Sequence, residues 1–285
     1  MNSTATSRPS VLMSGIGLGE SPRWHEGRLW FADWVAQEVL ALDPDGASEA
    51  IVNVRSLPFS IDWLADGRMV ITSGSKLLRL GADGTLATHA DLGDFSEHGW
   101  NEIVVGGSGN AYVNGPGFDM MAGAEFAPGI VAVVRPDGSA ERVAEGIAFP
   151  NGMAITPDNS TLIVADSYGN ELVAFEIAAD GGLRKRRVWA DLGDGVPDGI
   201  CIDAEGAVWY ADVPNRRCVR VREGGQILQT VEVDRGCFAC MLGGADGKTL
   251  FIMTQEWSGP EGIGNGPRTG QVLAADAPAP HAGRP

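Results

Sequence analysis

The sequence predicts an all-β fold, a six-bladed β-propeller, and three observations carry that prediction. Strand-like segments of mostly four to six residues run the length of the 285-residue chain. They are punctuated by Gly, Asp, Asn and Pro, with 40 glycines and 16 prolines in all, which is the composition of many short strands joined by tight turns. The segments recur in units with a period in the forties, the spacing of propeller blades with several strands each. At 44% hydrophobic the chain has ample material for a core, and single all-β domains reach this length. No helix of useful length is readable, residues 141–146 being too short to sustain a helical pattern.

The first unit leads from Gly19-Glu20-Ser21-Pro22-Arg23-Trp24 into residues 28–33 and 38–43, and closes at Pro44-Asp45-Gly46. An Asp-Gly pair between apolar runs is a strong hairpin signal. The second unit begins at Ile61-Asp62-Trp63-Leu64, turns at Asp66-Gly67, and continues through 68–72 and 77–80 to Asp83-Gly84. The third takes 102–105, 110–114 and 130–134, and ends at Pro136-Asp137-Gly138. The fourth takes 152–155, 161–166 and 172–175, and the fifth 200–202, 207–212 and 218–221. The sixth takes 241–244, 249–253 and 271–274 and lacks a clear fourth strand, which Val11-Leu12-Met13 is expected to supply. The expected organisation is a disordered start over residues 1–10, one propeller domain over 11–275, and a flexible Ala- and Pro-rich tail over 276–285.

The position just ahead of each unit's first strand can be aligned: Glu20, Ser60, Asn101, Asn151, Asp198 and Cys240, separated by 40, 41, 50, 47 and 42 residues. In a propeller the first strand of each blade lines the central channel, so these six are expected to ring one end of it. The longest gap falls in the third unit, where residues 116–128 form a candidate lid over the channel mouth. Taken alone, Asn151 or Asp198 reads as a turn residue whose side chain serves nearby backbone. Their shared phase is what lifts them: Glu20, Asn101, Asn151 and Asp198 put four hard oxygen donors at one place in four units. No His or Cys is among the four. Such a set suits Ca²⁺, Mg²⁺ or Mn²⁺ rather than a structural zinc, and its two carboxylates balance one dication.

A net charge of −16 argues against nucleic acid as a partner, because phosphate binding needs clustered Lys and Arg. The run Arg184-Lys185-Arg186-Arg187 reads as a solvated turn. No apolar run approaches the length of a membrane span, and residues 1–10 carry no signal-peptide core. Four cysteines, Cys201, Cys218, Cys237 and Cys240, are read as free thiols in a reducing cytoplasm; the lone Cys237-Phe238-Ala239-Cys240 lacks the second pair a zinc site needs. There is no GxSxG elbow, and the few histidines, His25, His89, His98 and His281, supply a triad poorly.

Gly19-Glu20-Ser21-Pro22, Trp100-Asn101-Glu102, Pro150-Asn151-Gly152 and Pro197-Asp198-Gly199 resemble the signature points of the senescence marker protein/gluconolactonase/luciferin-regenerating enzyme family, over residues 18–274. The resemblance implies a six-bladed propeller with one divalent cation on its axis: Ca²⁺ first, with Mg²⁺, Mn²⁺, Fe²⁺ or Zn²⁺ as alternatives. It implies that Glu20, Asn151 and Asp198 are metal ligands and that Asn101 contacts metal or substrate. It also implies that Asp198 is the base that activates water. Two departures stand out. Sugar-lactonase members of the regucalcin type carry an Arg two places before the third-blade Asn, where this chain has Gly99, preceded by His98; the residue after that Asn is commonly Asp and is here Glu102.

The expected activity is metal-dependent opening of a lactone or ester, with Asp198 and Asn101 catalytic. Asn101, Glu102, His98, Trp100 and Phe118 are expected to contact the substrate. Phe59, Phe149, Phe238 and Met241 extend an apolar rim. The alternatives are a phosphotriester hydrolase on the same metal and a calcium-binding propeller without chemistry.

Overall fold

The structure is a computed structural model that describes residues 8–120 and 122–283. It is a six-bladed β-propeller made of six four-stranded sheets, with one short 3₁₀ turn at Pro260–Gly262. In five blades the strands follow chain order, as hairpins require. They are Gly19–His25, Arg28–Asp33, Glu38–Leu42 and Ser48–Asn53; Ile61–Trp63, Met69–Ser73, Lys76–Leu80 and Leu86–Asp91; Glu102–Val105, Ala111–Gly115, Gly129–Val134 and Ala140–Ile147; Pro150–Ile155, Thr161–Asp166, Glu171–Ile177 and Leu183–Asp191; Pro197–Ile202, Val208–Asp212, Arg217–Val221 and Ile227–Glu232. The sixth blade takes Gly236–Gly243, Thr249–Gln255 and Gly270–Asp276 and borrows Ser10–Ile16 as its outer strand. That strand holds Val11-Leu12-Met13, and it pairs antiparallel with Ser10 opposite Ala274 and Ile16 opposite Gly270. Gly270 is needed there, since a Cβ would come within 2.6 Å of the Gly17 carbonyl oxygen.

The hairpins close as the turn residues dictate. Gly67 takes φ 80°, which glycine adopts without the Cβ penalty, and Asp66 Oδ1 accepts the Arg68 N–H at 3.1 Å. The core lies between blades rather than inside any one of them. Ala154, Ile163, Trp189 and Tyr210 join blades four and five, and Val70, Leu77, Trp100 and Val113 join blades two and three. Inner strands are therefore covered on both faces, which is why they read as continuous apolar runs. Each fully buried large aliphatic side chain contributes roughly 1.5–3 kcal/mol.

The tail differs from the flexible segment expected from its composition. Ala277 N–H donates to Lys248 O at 2.8 Å, His281 N–H to Gly247 O at 3.0 Å, and Ala282 N–H to Ile202 O at 3.2 Å. Ala277 and Ala279 are buried. Small side chains let this segment lie flat across blades five and six, where backbone hydrogen bonds hold it without large apolar residues. At the other terminus, the expected disorder falls mostly on residues 1–7, outside the described residues; Ser10 already belongs to the closing strand. Among the described residues no helix is long and apolar enough to cross a membrane.

Candidate metal centre at the channel mouth

The first strands of the six blades touch in succession and close into a ring. Four of them share one local device, and in three the residue it places is polar. In blade five Pro197 lies opposite Asp212 and Ile200 opposite Tyr210, with a bulge between. In blade four Pro150 lies opposite Asp166 and Met153 opposite Val164, again with a shift between. Blade one repeats it between Glu20 and Arg23. The extra residue re-aims the side chain at the start of the strand, and the residues so placed are Asp198, Asn151 and Glu20.

The glycine after Asn151 and after Asp198 is a packing requirement. A Cβ on Gly152 would sit 2.5 Å from the Asp198 carbonyl oxygen and the Ile200 nitrogen, and one on Gly199 would sit 2.6 Å from Ala239 Cβ. The aspartate ending the second strand then fixes the incoming loop. Asp166 accepts the Ala148 and Phe149 N–H groups, both at 2.9 Å, and Asp33 accepts the Gly17 N–H at 2.9 Å.

These devices bring the predicted oxygen donors together. Asn101 Nδ2 donates to Asn151 Oδ1 at 3.3 Å, and Asn151 in turn hydrogen-bonds to the Asp198 carboxylate. Asn114 Nδ2 donates to Asn151 O at 2.6 Å, and Ser167 Oγ donates to Pro197 O at 2.6 Å. Asn114 and Ser167 carry no signal in the sequence, since each lies inside or just past a second strand. Glu20, Asn101 and Glu102 are buried, while Asn151 and Asp198 keep a partly open face.

The electrostatics are those of crowded acids. Burial, then the charges of Asp198 and Glu102, push the Glu20 carboxyl well above the usual carboxylate range. Burial, then the Glu102 charge, raises Asp198 well above it, against the hydrogen bond from Asn151. Glu102 is raised by burial as well, opposed by Arg23, whose Nη2 lies 3.3 Å from Glu102 Oε2. Among the described residues no three His, Cys, Asp or Glu side chains form a metal cluster by themselves. The donor set depends on the two amide oxygens. Two carboxylates with two amides fit one hard dication, while Arg23 pairs with both Glu102 and Asp62 beside them.

Two positions of the aligned ring need correction. Ile61 lies opposite Ile71 as Ile200 lies opposite Tyr210, so the residue equivalent to Asp198 is Phe59. Ser60 points into its blade, its Oγ 2.9 Å from Thr72 Oγ1. In blade six Cys237 lies opposite Thr254 and Cys240 opposite Ile252, so the equivalent residue is Phe238. Cys240 packs against blade five, with Sγ 3.5 Å from Trp209 O. Sequence reading anchored these two on the apolar run; anchoring Pro58-Phe59-Ser60 on the Pro of Pro150-Asn151-Gly152 would have placed Phe59.

The expected substrate contacts separate. Trp100 is fully buried among Leu92, Ile103 and Val113, so it is a packing residue and not a wall of the site. Glu102 is held on the channel side by Arg23. His98 lies in the loop before Trp100, its N–H received by Ser96 Oγ at 3.0 Å. Phe118 stands with Phe149, 6.0 Å between ring centres, on the loop side of Asn151. A further cleft opens on the same end between blades five and six, lined by Arg216, Asp234, Arg235, Glu256 and Trp257.

A family model described as SMP-30/Gluconolactonase/LRE-like region matches residues 18–256. Regucalcin of Xenopus laevis is 28% identical, the match covering 96% of this chain and 97% of that protein. The 6-deoxy-6-sulfogluconolactonase of Pseudomonas putida is 27% identical, covering 94% of each chain. The solved structure of a calcium-binding protein, regucalcin, from Agrobacterium tumefaciens superposes with a TM-score of 0.78 at 23% identity, covering 97% of both chains. The chain belongs to the SMP-30/gluconolactonase/LRE-like family.

Proposed function

We propose that this protein is a divalent-cation-dependent hydrolase that opens a lactone. The observation that carries the reading is the convergence of Glu20, Asn101, Asn151 and Asp198, from four blades, at equivalent register positions in one acidic cluster. A lactonase among its relatives supports the choice of reaction, and a calcium-binding neighbour supports Ca²⁺ first among the dications. The resident cation would be held by Glu20, Asn151 and Asp198, with Asn101 beside them. When bound it supplies Lewis acidity toward the carbonyl oxygen and the charge that develops there.

The chain's own groups do the rest. Asp198 accepts the proton of the attacking water. The water oxygen bonds to the carbonyl carbon, the ring C–O bond breaks, and the leaving alkoxide takes back the proton held by Asp198, giving a hydroxy acid and regenerating the base. Asn101 orients Asn151 and reaches the substrate carbonyl. Arg23 pairs with Glu102 and fixes it at the floor of the site. Phe118 bounds the mouth on the lid side, and His98 stands at its edge.

The test is acid release from a lactone panel with chelator and with added Ca²⁺. Turnover should vanish with chelator and return with Ca²⁺. Asp198→Asn should lower kcat by about 10²- to 10⁴-fold, and full activity in that variant would end the mechanism. A calcium-binding propeller without chemistry is the second reading, favoured by the name of the Agrobacterium neighbour. It predicts calcium binding and thermal stabilisation with no turnover on any lactone or phosphotriester.

A further inference from the structure

We propose that Phe118, Phe126, Phe149 and Tyr168 form a wall that binds an apolar arm of the substrate. The substrate class is then a lactone bearing an alkyl or aryl substituent, not a polyhydroxylated one. This rests on the lactone-hydrolase reading and deepens it. The four rings form one cluster at the channel mouth. Phe149 stacks on Tyr168 at 4.8 Å, Phe118 meets Phe149 edge-on at 6.0 Å, and Phe126 lies 5.6 Å from Phe118 and 6.2 Å from Tyr168.

Phe118 and Phe149 are buried, yet Phe126 and Tyr168 remain 54% and 51% exposed. The outer half of the cluster therefore presents two neighbouring aromatic faces to solvent. Large exposed apolar groups that adjoin one another, unlike scattered ones, mark binding surfaces.

The wall is tied to the proposed reaction centre. Phe149 directly precedes Pro150-Asn151, and Tyr168 directly follows Ser167. Ser167 N–H donates to Phe149 O at 3.0 Å, and Asn151 Nδ2 lies 3.4 Å from Ser167 Oγ. A lactone ring held beside Asn151 therefore extends any substituent on that side over Phe149 and Tyr168. The chemistry of the surroundings favours an apolar one. No ring of the cluster is charged, and the Tyr168 hydroxyl is directed at Met120 Sδ, 3.7 Å away. Only four of the six ring positions carry a polar side chain, Phe59 and Phe238 being buried phenyl groups, whereas hydroxyl recognition depends on placed polar groups.

The experiment compares δ-lactones that carry hydrogen, butyl, hexyl or phenyl arms with gluconolactone, for the wild type and for Phe126→Ala, Tyr168→Ala and the double variant. For the wild type, kcat/KM should rise about fourfold per methylene over the first few carbons and exceed that for gluconolactone. The double variant should lose about tenfold or more on the hexyl lactone, through KM, with the unsubstituted lactone unchanged. Equal loss on both lactones, or no loss on either, overturns the proposal. Calorimetric binding of the matching lactams, which resist opening, separates the two readings. A hexyl lactam that binds tighter than the bare lactam, and loses that advantage in the double variant, upholds the wall even without turnover. Active enzyme with no preference among arms overturns the wall and leaves lactone hydrolysis standing.

Discussion

Glu20 and Asp198 show how a single side chain can be both well placed and uncomfortable. Each is raised above the ordinary carboxylate range by burial and by the neighbouring acids. In the cation-free protein, such groups hold a proton more tightly folded than unfolded. The stability they contribute is complete below the unfolded values, about 4, and is lost as pH rises through the raised folded ones. The melting temperature of chelator-treated protein should therefore fall as pH climbs from that range toward neutrality. Calcium should remove most of the fall, because on the proposed reading it binds the ionised pair. A melting curve indifferent to both pH and calcium would show that the two acids do not meet. Asn151 and Asp198 stand out in the sequence because proline and glycine frame the amide or acid in the same way in blades four and five, and Glu20 by its matching phase in blade one. Ser167 and Asn114 do not, because a buried polar residue inside a strand repeat looks like any other strand residue.

At the scale of the strand, register decides function. A slip of one residue sends a side chain to the other face, and that is the distance between Ser60 and Phe59. Short apolar runs reveal the strands, but a bulge such as that between Cys237 and Ala239 is invisible to such a pattern, so an alignment anchored on apolar runs drifts in blade six. The corrected ring makes a prediction. Ser60→Ala and Cys240→Ala should leave calcium affinity within about threefold of wild type, measured by titration calorimetry, at a stability cost of about 1 kcal/mol; a large loss of affinity would restore the original alignment. The tail is an element too. Ending the chain after Asp276 strips the backbone bonds to Lys248, Gly247 and Ile202 and should cost about 1–3 kcal/mol in a urea titration. An unchanged midpoint would mean the tail rests on the surface without holding it. Composition missed this because Ala and Pro carry no signal for a segment anchored through its backbone.

Over the whole molecule, the period in the forties and the borrowed first strand were enough to read the propeller, since each blade repeats the same hairpin chemistry. The acidic surface, net −16, adds to the field that draws a cation toward the channel. A cation bound only by the folded ring stabilises it by about 2.7 kcal/mol at a concentration one hundred times Kd. A melting point independent of calcium concentration at neutral pH would contradict that.

Blade six stands between the blades that carry Asp198 and Glu20, and it is the blade sewn from both ends of the chain. A cation gripped by those two carboxylates is then also a rivet across the seam. Peeling Ser10–Ile16 away loosens the ion, and by reciprocity the ion guards the peel. Proteolysis at the exposed Val11 should slow when calcium is present, so that the proposed cation would also protect the chain where its two ends are joined.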